Sequence, residues 1–537
     1  MLESISSAHK EMQLVVKTWL QKAVVVAVAI ALMMFAGGCG TDGQSAPTTA
    51  DPNKPLVINL AGGDSGLPSP YSHYPRGPGT FKMNMIFDSL LERGEQGYIP
   101  WLAEKWDISP DGKTYTFFLR QGVKWHDGKP MTAADVKFTF EYFAKHTPVS
   151  DELTINGKNI ITAIELLNDY TIKIHVDNVN ATNLGRLGNV RIIPKHIWEK
   201  VDDPKKFSTP EAVIGCGPYV LKEYDKEQGA YKYEAFTDYW GPKPRVDVVQ
   251  FIPVSDSLLA FNKGEIDLTG MTPDLLSRFE NNQEFVIKQN PAFWGYRLIF
   301  NMERRPELKD KSVRQAFAYA INKQEIVDKV ARGAGIPASA GYLPLGHIWY
   351  NPNVKQYEFN IDKAKELLQG KKLTFTLLIS SSEARIAELM KISLAQAGIE
   401  LIVKSVDGKT RDAAARSGEY EIILNGHGGW GGDADLLRTT YATKQSASQS
   451  PSANGIYGYS DETINQLCEQ QLTEIDQTKR KELVFTLQEI IAKEVPQLPI
   501  YNTTGYIVYR PAKYDGWRYM FDHHEVTHNK LSYLEIK

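Results

Sequence analysis

Cysteine is scarce: Cys39, Cys216 and Cys468 are the only three in 537 residues. Their separation fits neither a zinc cluster nor a Cys-x-x-Cys redox pair. Charge of one sign is also lacking. The formal net charge is −3, so no general attraction to nucleic acid or an anionic membrane is expected. No Gly-x-x-x-x-Gly-Lys-Ser/Thr loop occurs, which excludes ATP binding of that kind. No Gly-x-Ser-x-Gly elbow occurs either, which removes one route to hydrolysis. There is no internal repeat. The apolar run Ala23 to Ala36 is too short to span a bilayer and has the length of a signal-peptide core.

Lys17 and Lys22 precede that run, and Ala36-Gly37-Gly38-Cys39 ends it. Small residues before a cysteine resemble a bacterial lipobox, which implies a lipoprotein signal peptide over residues 1–39, processed at Cys39 with that cysteine kept as the lipid-modified anchor. Residues 40–55 are small, polar and proline-containing, so they read as a flexible tether. The body is then expected outside the cytoplasm, anchored to the cell membrane or periplasmic. Cys216 and Cys468 read as two buried free thiols, with a disulfide between them as the alternative.

What is abundant is hydrophobic and aromatic residues, 42% and 11% of the chain, enough for large cores. The densest local pattern lies between Ala103 and Glu141. Pro110-Asp111-Gly112-Lys113 is turn chemistry. Thr114 to Leu119 is β-branched and aromatic and reads as a strand. Thr132 is placed to cap a helix carrying Val136, Phe140 and Phe143 on one face. Nothing in this segment supplies reactive chemistry. Ala103-Glu104-Lys105-Trp106, Ser109 to Phe117, Leu119-Arg120-Gln121-Gly122-Val123-Lys124-Trp125-His126-Asp127-Gly128 and Ala134 to Phe138 resemble the signature of the family 5 extracellular solute-binding proteins. These are the peptide and nickel receptors of ABC importers. Gly215-Cys216-Gly217-Pro218-Tyr219, Asp238 to Pro244, Gly264-Glu265-Ile266-Asp267, Val313 to Asn322 and Pro496 to Tyr501 extend the resemblance along the body.

The residues themselves predict a strand at Leu56 to Ala61 and another at Tyr170 to Val176. One long helix is expected from Val313 to Arg332, capped by Ser312. Strand, helix, strand, helix, strand follow from Leu373 to Leu424, which argues an α/β layer with parallel pairing. Two helices, Asp461 to Leu472 and Gln477 to Glu494, close the region. The resemblance implies an α/β, two-lobed periplasmic-binding-protein-like (type II) fold with an enlarged first lobe. The first lobe is expected over 56–300, with 503–537 returning to it, and the second over 301–502.

Candidate ligand-binding residues follow from the same resemblance. Tyr71 and Tyr74 lie in the loop after the first strand. Arg191, before Ile192-Ile193-Pro194, matches an arginine that pairs with ligand carboxylate in the nickel branch; a guanidinium fork suits a carboxylate. Asn425 to Arg438 is glycine-rich and follows a predicted strand, where α/β sheets bind ligands. It offers His427, Trp430, Asp433 and Arg438. In one register Asp433 is the residue that grips a peptide amine. In another it is only the structural acid of the motif, and the amine-gripping one is missing.

His524-Glu525-Val526-Thr527-His528 spells His-Glu-x-x-His, the zincin pattern. Valine and threonine are poor helix formers and few residues follow, so a zinc metalloprotease is the remote reading. His523 and His524 are instead candidates, with His427, to face a metal-bearing ligand. The expectation is a monomeric, non-enzymatic binding protein without a resident cofactor. It would deliver a small ligand to a membrane permease, with no nucleic-acid partner. The sequence favours a nickel or other metal chelate as ligand, with a dipeptide or oligopeptide as the alternative.

Overall fold

The turn at Ser109 to Thr114 closes as its residues dictate. The Gly112 amide donates to the Ser109 carbonyl at 2.8 Å with Gly112 at φ +67°, a conformation glycine adopts freely. It joins strands Ala103–Ile108 and Thr114–Leu119, which pair antiparallel and continue through Thr171–Val176 to Ile161–Asn168. Tyr115, Phe117 and Leu119 are buried on one side of the sheet, the alternation a half-buried strand requires. Helix Ala133–Lys145 covers it, capped by Thr132, whose hydroxyl accepts from the Ala134 amide while the Asp135 carboxylate accepts from the Thr132 amide. Val136, Phe140 and Phe143 are among its buried residues, as the spacing predicts.

The computed structural model describes residues 54–537, apart from 75–76, 156, 293, 429, 444–455, 520–525 and 537 and the side chain of residue 427. Pro55–Lys537 forms one compact unit. In the first lobe a second sheet pairs Val57–Ala61 in parallel with Val248–Ile252, followed by Ala230–Ala235 and Tyr219–Asp225. The second lobe is built on six strands in the order Gly335–Pro337, Gln497–Thr503, Trp294–Phe300, Ile422–Gly428, Leu373–Ser380, Ile399–Val406. Leu373–Ser380 pairs in parallel with both its neighbours, as the strand–helix alternation predicts. Each lobe has its own large apolar core.

The crossings between lobes run side by side. Val286–Gln289 pairs with Tyr506–Tyr509 in a small three-stranded sheet. A few residues further on, Trp294–Phe300 pairs with Gln497–Thr503 in the second-lobe sheet. Trp294–Phe300, placed at the end of the first lobe by the sequence, is therefore hydrogen-bonded along both edges to second-lobe strands. Between the two paired regions the Asn290 amide donates to the Gly505 carbonyl at 2.7 Å.

The helix expected from Val313 to Arg332 is not continuous. It runs Lys311–Ala320, capped by Asp310 rather than Ser312, and Ile321 turns extended (φ −96°, ψ 117°). Asn322 then starts a new turn by accepting from the Glu325 amide. Asparagine competes for backbone donors, so a cap wins over continuation although the apolar pattern runs on.

The Gly215-Cys216-Gly217 stretch is shaped by close backbone approach, not by a ligand. A Cβ on Gly215 would lie 2.0 Å from the Ile86 carbonyl oxygen, and one on Gly217 would lie 2.7 Å from it. The Gly217 amide donates to that same oxygen at 2.8 Å. Gly215→Ala should therefore lower stability by about 1–3 kcal/mol through overpacking. In thermal melts Gly408→Ala, where a Cβ meets nothing within 4 Å, serves as the neutral control. Cys216 and Cys468 are both free and buried. Burial pushes the Cys216 thiol well up and the Cys468 thiol to about 12, so neither is a ready nucleophile. No helix among the described residues is long and apolar enough to cross a membrane.

Candidate functional site

Between the lobes lies a cavity of about 350 Å³ whose walls come from the first lobe, with Gly431 reaching in from the second. Phe81, Met83, Phe143 and Val190 make it partly apolar, while Arg191, Glu92, Arg93 and His73 make one side polar.

Arg191 reaches this wall because its backbone bridges to Ser89. Its Nη1 donates to the Ser89 hydroxyl at 2.8 Å and to the Glu92 carboxylate at 3.3 Å. These are its hydrogen bonds among the described residues, so the Nε–Nη2 edge of the fork is left for an occupant. Behind Arg191 stands a buried charge cluster. Lys530 of the C-terminal tail donates to Glu92 and, at 2.6 Å, to Asp88. The other Asp88 oxygen accepts from the Tyr239 hydroxyl and the Trp240 indole, both at 3.1 Å. The Lys530 ammonium also lies 4.9 Å from the Trp101 ring centre. Burial alone would raise the Glu92 pKa, but the charges of Lys530 and Arg191 outweigh it and bring the carboxyl down to about 2. Glu92 is thus a fixed anion at neutral pH. The cluster itself holds two cations and two anions, and Arg93, Asp151 and Glu152 also line the cavity.

Sequence reasoning missed Asp88, Glu92 and Lys530. The available signal was Ile86-Phe87-Asp88-Ser89-Leu90-Leu91, an acid inside an apolar run, which demands a buried cation from somewhere.

The predicted residues separate. Tyr71 packs into the first-lobe core, its ring 5.6–6.2 Å from those of Trp198, Phe143 and Tyr142, and its hydroxyl donates to the His146 carbonyl at 2.6 Å. Burial pushes that phenol well above the ordinary tyrosine range. Tyr74 is 57% exposed. Trp430 is buried edge-on to Tyr342 at 5.6 Å, so its face serves the second-lobe core. Asp433 accepts from Arg480 on both oxygens, at 2.5 and 2.7 Å, and from the Asp435 amide at 2.8 Å. Arg480 is further held by Gln471 and lies 4.9 Å from the Trp349 ring centre. Arg438 forms its own two-pronged pair with Asp435 at 2.5 and 2.7 Å. The 425–438 loop therefore presents Gly431 to the interlobe cavity, while Asp433 lines a neighbouring cavity of about 250 Å³.

Cys39, His523 and His524 lie outside the described residues, as does the side chain of His427; the His427 backbone pairs opposite Gly295. His528, the last residue of the His-Glu-x-x-His string, sits in the short 3-10 turn Val526–His528 with its ring stacked on Phe81 at 4.3 Å. Among the described residues no group of three His, Cys, Asp or Glu side chains could hold a metal ion.

The family model for the bacterial extracellular solute-binding proteins, family 5 (middle region), matches residues 97–449. The chain is 29% identical to the dipeptide-binding protein of Escherichia coli K12 over 475 residues, covering 81% of this chain and 86% of that protein. It is 31% identical to di/tripeptide-binding protein 3 of Pseudomonas aeruginosa UCBPP-PA14, covering 78% and 84%. In structure it is similar to the periplasmic binding protein DppA of Helicobacter pylori in complex with the peptide STSA, with a TM-score of 0.64 and 26% identity, covering 90% and 98%.

Proposed function

The chain belongs to the family 5 bacterial extracellular solute-binding proteins, the substrate-binding components of ABC importers, and from that premise we propose that its ligand is a short peptide held by its carboxylate. The observation that carries this reading is the open Nε–Nη2 edge of Arg191 on the interlobe cavity, backed by a charge-balanced cluster. A carboxylate on that edge makes two charge-assisted hydrogen bonds. The partly apolar walls accept small side chains. The relatives named for di- and tripeptides are about 30% identical over most of the chain, which supports a peptide over the metal chelate that the sequence favours. The chelate reading draws on Arg191 and Arg438 with His427 and His524; His524 and the side chain of His427 lie outside the described residues, and Arg438 is paired with Asp435.

In this reading the amine is not held by Asp433, whose oxygens serve Arg480 and Asp435. Tyr71, Trp430 and Arg438 act by fixing the walls. Closure about the paired crossings would present the loaded form to the permease, because the ligand favours the state in which both lobes touch it. A lipid anchor at Cys39 and a monomeric body complete the proposal.

Titration calorimetry tests it. Free-acid di- and tripeptides should give binding heat and the nickel–histidine complex none. Arg191→Ala should weaken the free acid by about 30-fold, or about 2 kcal/mol, and leave a C-terminally amidated peptide unaffected. Binding of nickel–histidine alone would overturn the peptide assignment.

A further inference from the structure

The neighbouring cavity of about 250 Å³ is walled by both lobes, with residues 93–184 on one side and 348–480 on the other. The interlobe cavity takes one residue from the second lobe, Gly431, which has no side chain. The two spaces adjoin: Arg93 lines both, and Gly432, next to Gly431 in the chain, lines the smaller one. Here the lobes touch, for the amide of Ala181, itself a lining residue, donates to the Leu472 carbonyl at 2.7 Å. A ligand shifts an equilibrium only by its differential affinity for the two states. One confined to the interlobe cavity meets a single second-lobe residue, so it has little hold on how the lobes are set.

Tyr98, Trp106 and Leu184 pack on the first-lobe core and Ile348 on the second, each only half-buried, and all four line this space. Trp106 stands on the edge strand Ala103–Ile108, paired opposite Phe117. Trp349 adds a further ring to the wall, its indole donating to the Gly432 carbonyl at 3.4 Å. Apolar surface left bare by both lobes thus ends at one space, and covering it is favourable in proportion to its area. The uncharged polar lining, Gln96 and Gln477, is solvent-exposed. Both Asp433 oxygens already accept from Arg480, so that pair calls for no ligand group. A cationic side chain would meet Arg93 and Arg480, and an acidic one would lose its hydration among the rings. The volume lies below the roughly 300 Å³ at which whole-ligand pockets begin, so it suits one side chain.

Resting on the peptide reading of the interlobe cavity, we propose that this neighbouring cavity is a specificity pocket that takes a large apolar or aromatic side chain of the bound peptide, and that filling it favours the closed lobes. Trp106 from the first lobe and Ile348 from the second are the residues that read that side chain. A peptide of small residues stays in the interlobe cavity and binds open and closed lobes almost alike. A peptide with phenylalanine touches both lobes, so it binds more tightly and closes them more fully.

Calorimetry of the full-length protein with free-acid Ala-Ala, Ala-Phe and Phe-Ala, and with the matching lysine and aspartate peptides, tests it. At least one phenylalanine peptide should bind about tenfold or more tighter than Ala-Ala and than its lysine and aspartate counterparts. That gap should close in Trp106→Ala, which removes a wall, and in Ala181→Leu, which fills the space. Trp106→Ala takes a ring off the first-lobe core and can cost the fold, so a further measurement uses the unaltered protein. In small-angle scattering a saturating phenylalanine peptide should lower the radius of gyration more than saturating Ala-Ala. The proposal is overturned by equal affinities across the set, by a lysine or aspartate peptide binding best, by a gap that survives Ala181→Leu, or by equal compaction. Those outcomes, with Ala-Ala binding measurable, leave the peptide reading standing and remove only the pocket. Binding by no peptide, Ala-Ala included, removes the peptide reading, and the pocket falls with it.

Discussion

Lys530→Met should lower the stability of the folded body by about 3–5 kcal/mol, because it strands Asp88 and Glu92 as buried anions without their shared cation. The pH dependence gives a second scale for the same effect. The Glu92 carboxyl sits near 2 in the folded protein against an ordinary value of 4.5. A depressed carboxylate contributes stability that is fully present above the ordinary value and lost as pH falls through the folded one. A shift of that size corresponds to about 3 kcal/mol. Denaturant unfolding of the two proteins should therefore differ most above about pH 5, and the gap should narrow towards pH 2. A gap that is the same at both ends of that range would mean that Lys530 acts through packing rather than through Glu92. Lys530→Met with Glu92→Gln should recover part of the loss, since it removes one stranded charge.

Asp433→Ala should cost about 3 kcal/mol and leave peptide affinity nearly unchanged. The loss arises because Arg480, almost wholly buried, loses the two-pronged anion that Asp433 provides. It falls at the low end of the range for a buried pair because the Asp433 side chain is 29% exposed and Gln471 still holds the guanidinium. Asp433→Asn, which keeps the shape, should sit between the two proteins in a thermal melt. The alternative register predicts the reverse, a collapse of peptide affinity at constant melting temperature. Calorimetry and melting on the same two variants separate the registers.

Much of the scaffold was legible because its causes are local. The Pro110–Lys113 turn, the alternation of Thr114–Leu119 and the Thr132 cap each rest on residues within a few positions of one another. The strand–helix–strand run from Leu373 onward was readable for the same reason. The break at Ile321 was not, since its apolar spacing continues while one asparagine decides the backbone. The site is harder still. Arg191 could be named from the residues around it, but Lys530 is 442 positions from Asp88 and no pattern along the chain connects them. Asp433 could be named as a reactive-looking acid. Its partner Arg480, 47 positions on, lies in a helix with nothing to mark it as different from any other surface arginine. Tyr71 shows the opposite failure: the loop after the first strand reads as ligand-facing, yet it folds this ring into the first-lobe core.

The side-by-side crossings have a bearing on the history and handling of the molecule. Trp294 and Thr503 are partners across one antiparallel pair, so the intervening 294–503 segment begins and ends about 5 Å apart. It carries its own sheet and its own core. Such a segment has the form of a cassette inserted into a host, one that can be excised, or closed into a ring by a short peptide, while the host is rejoined by a tight turn.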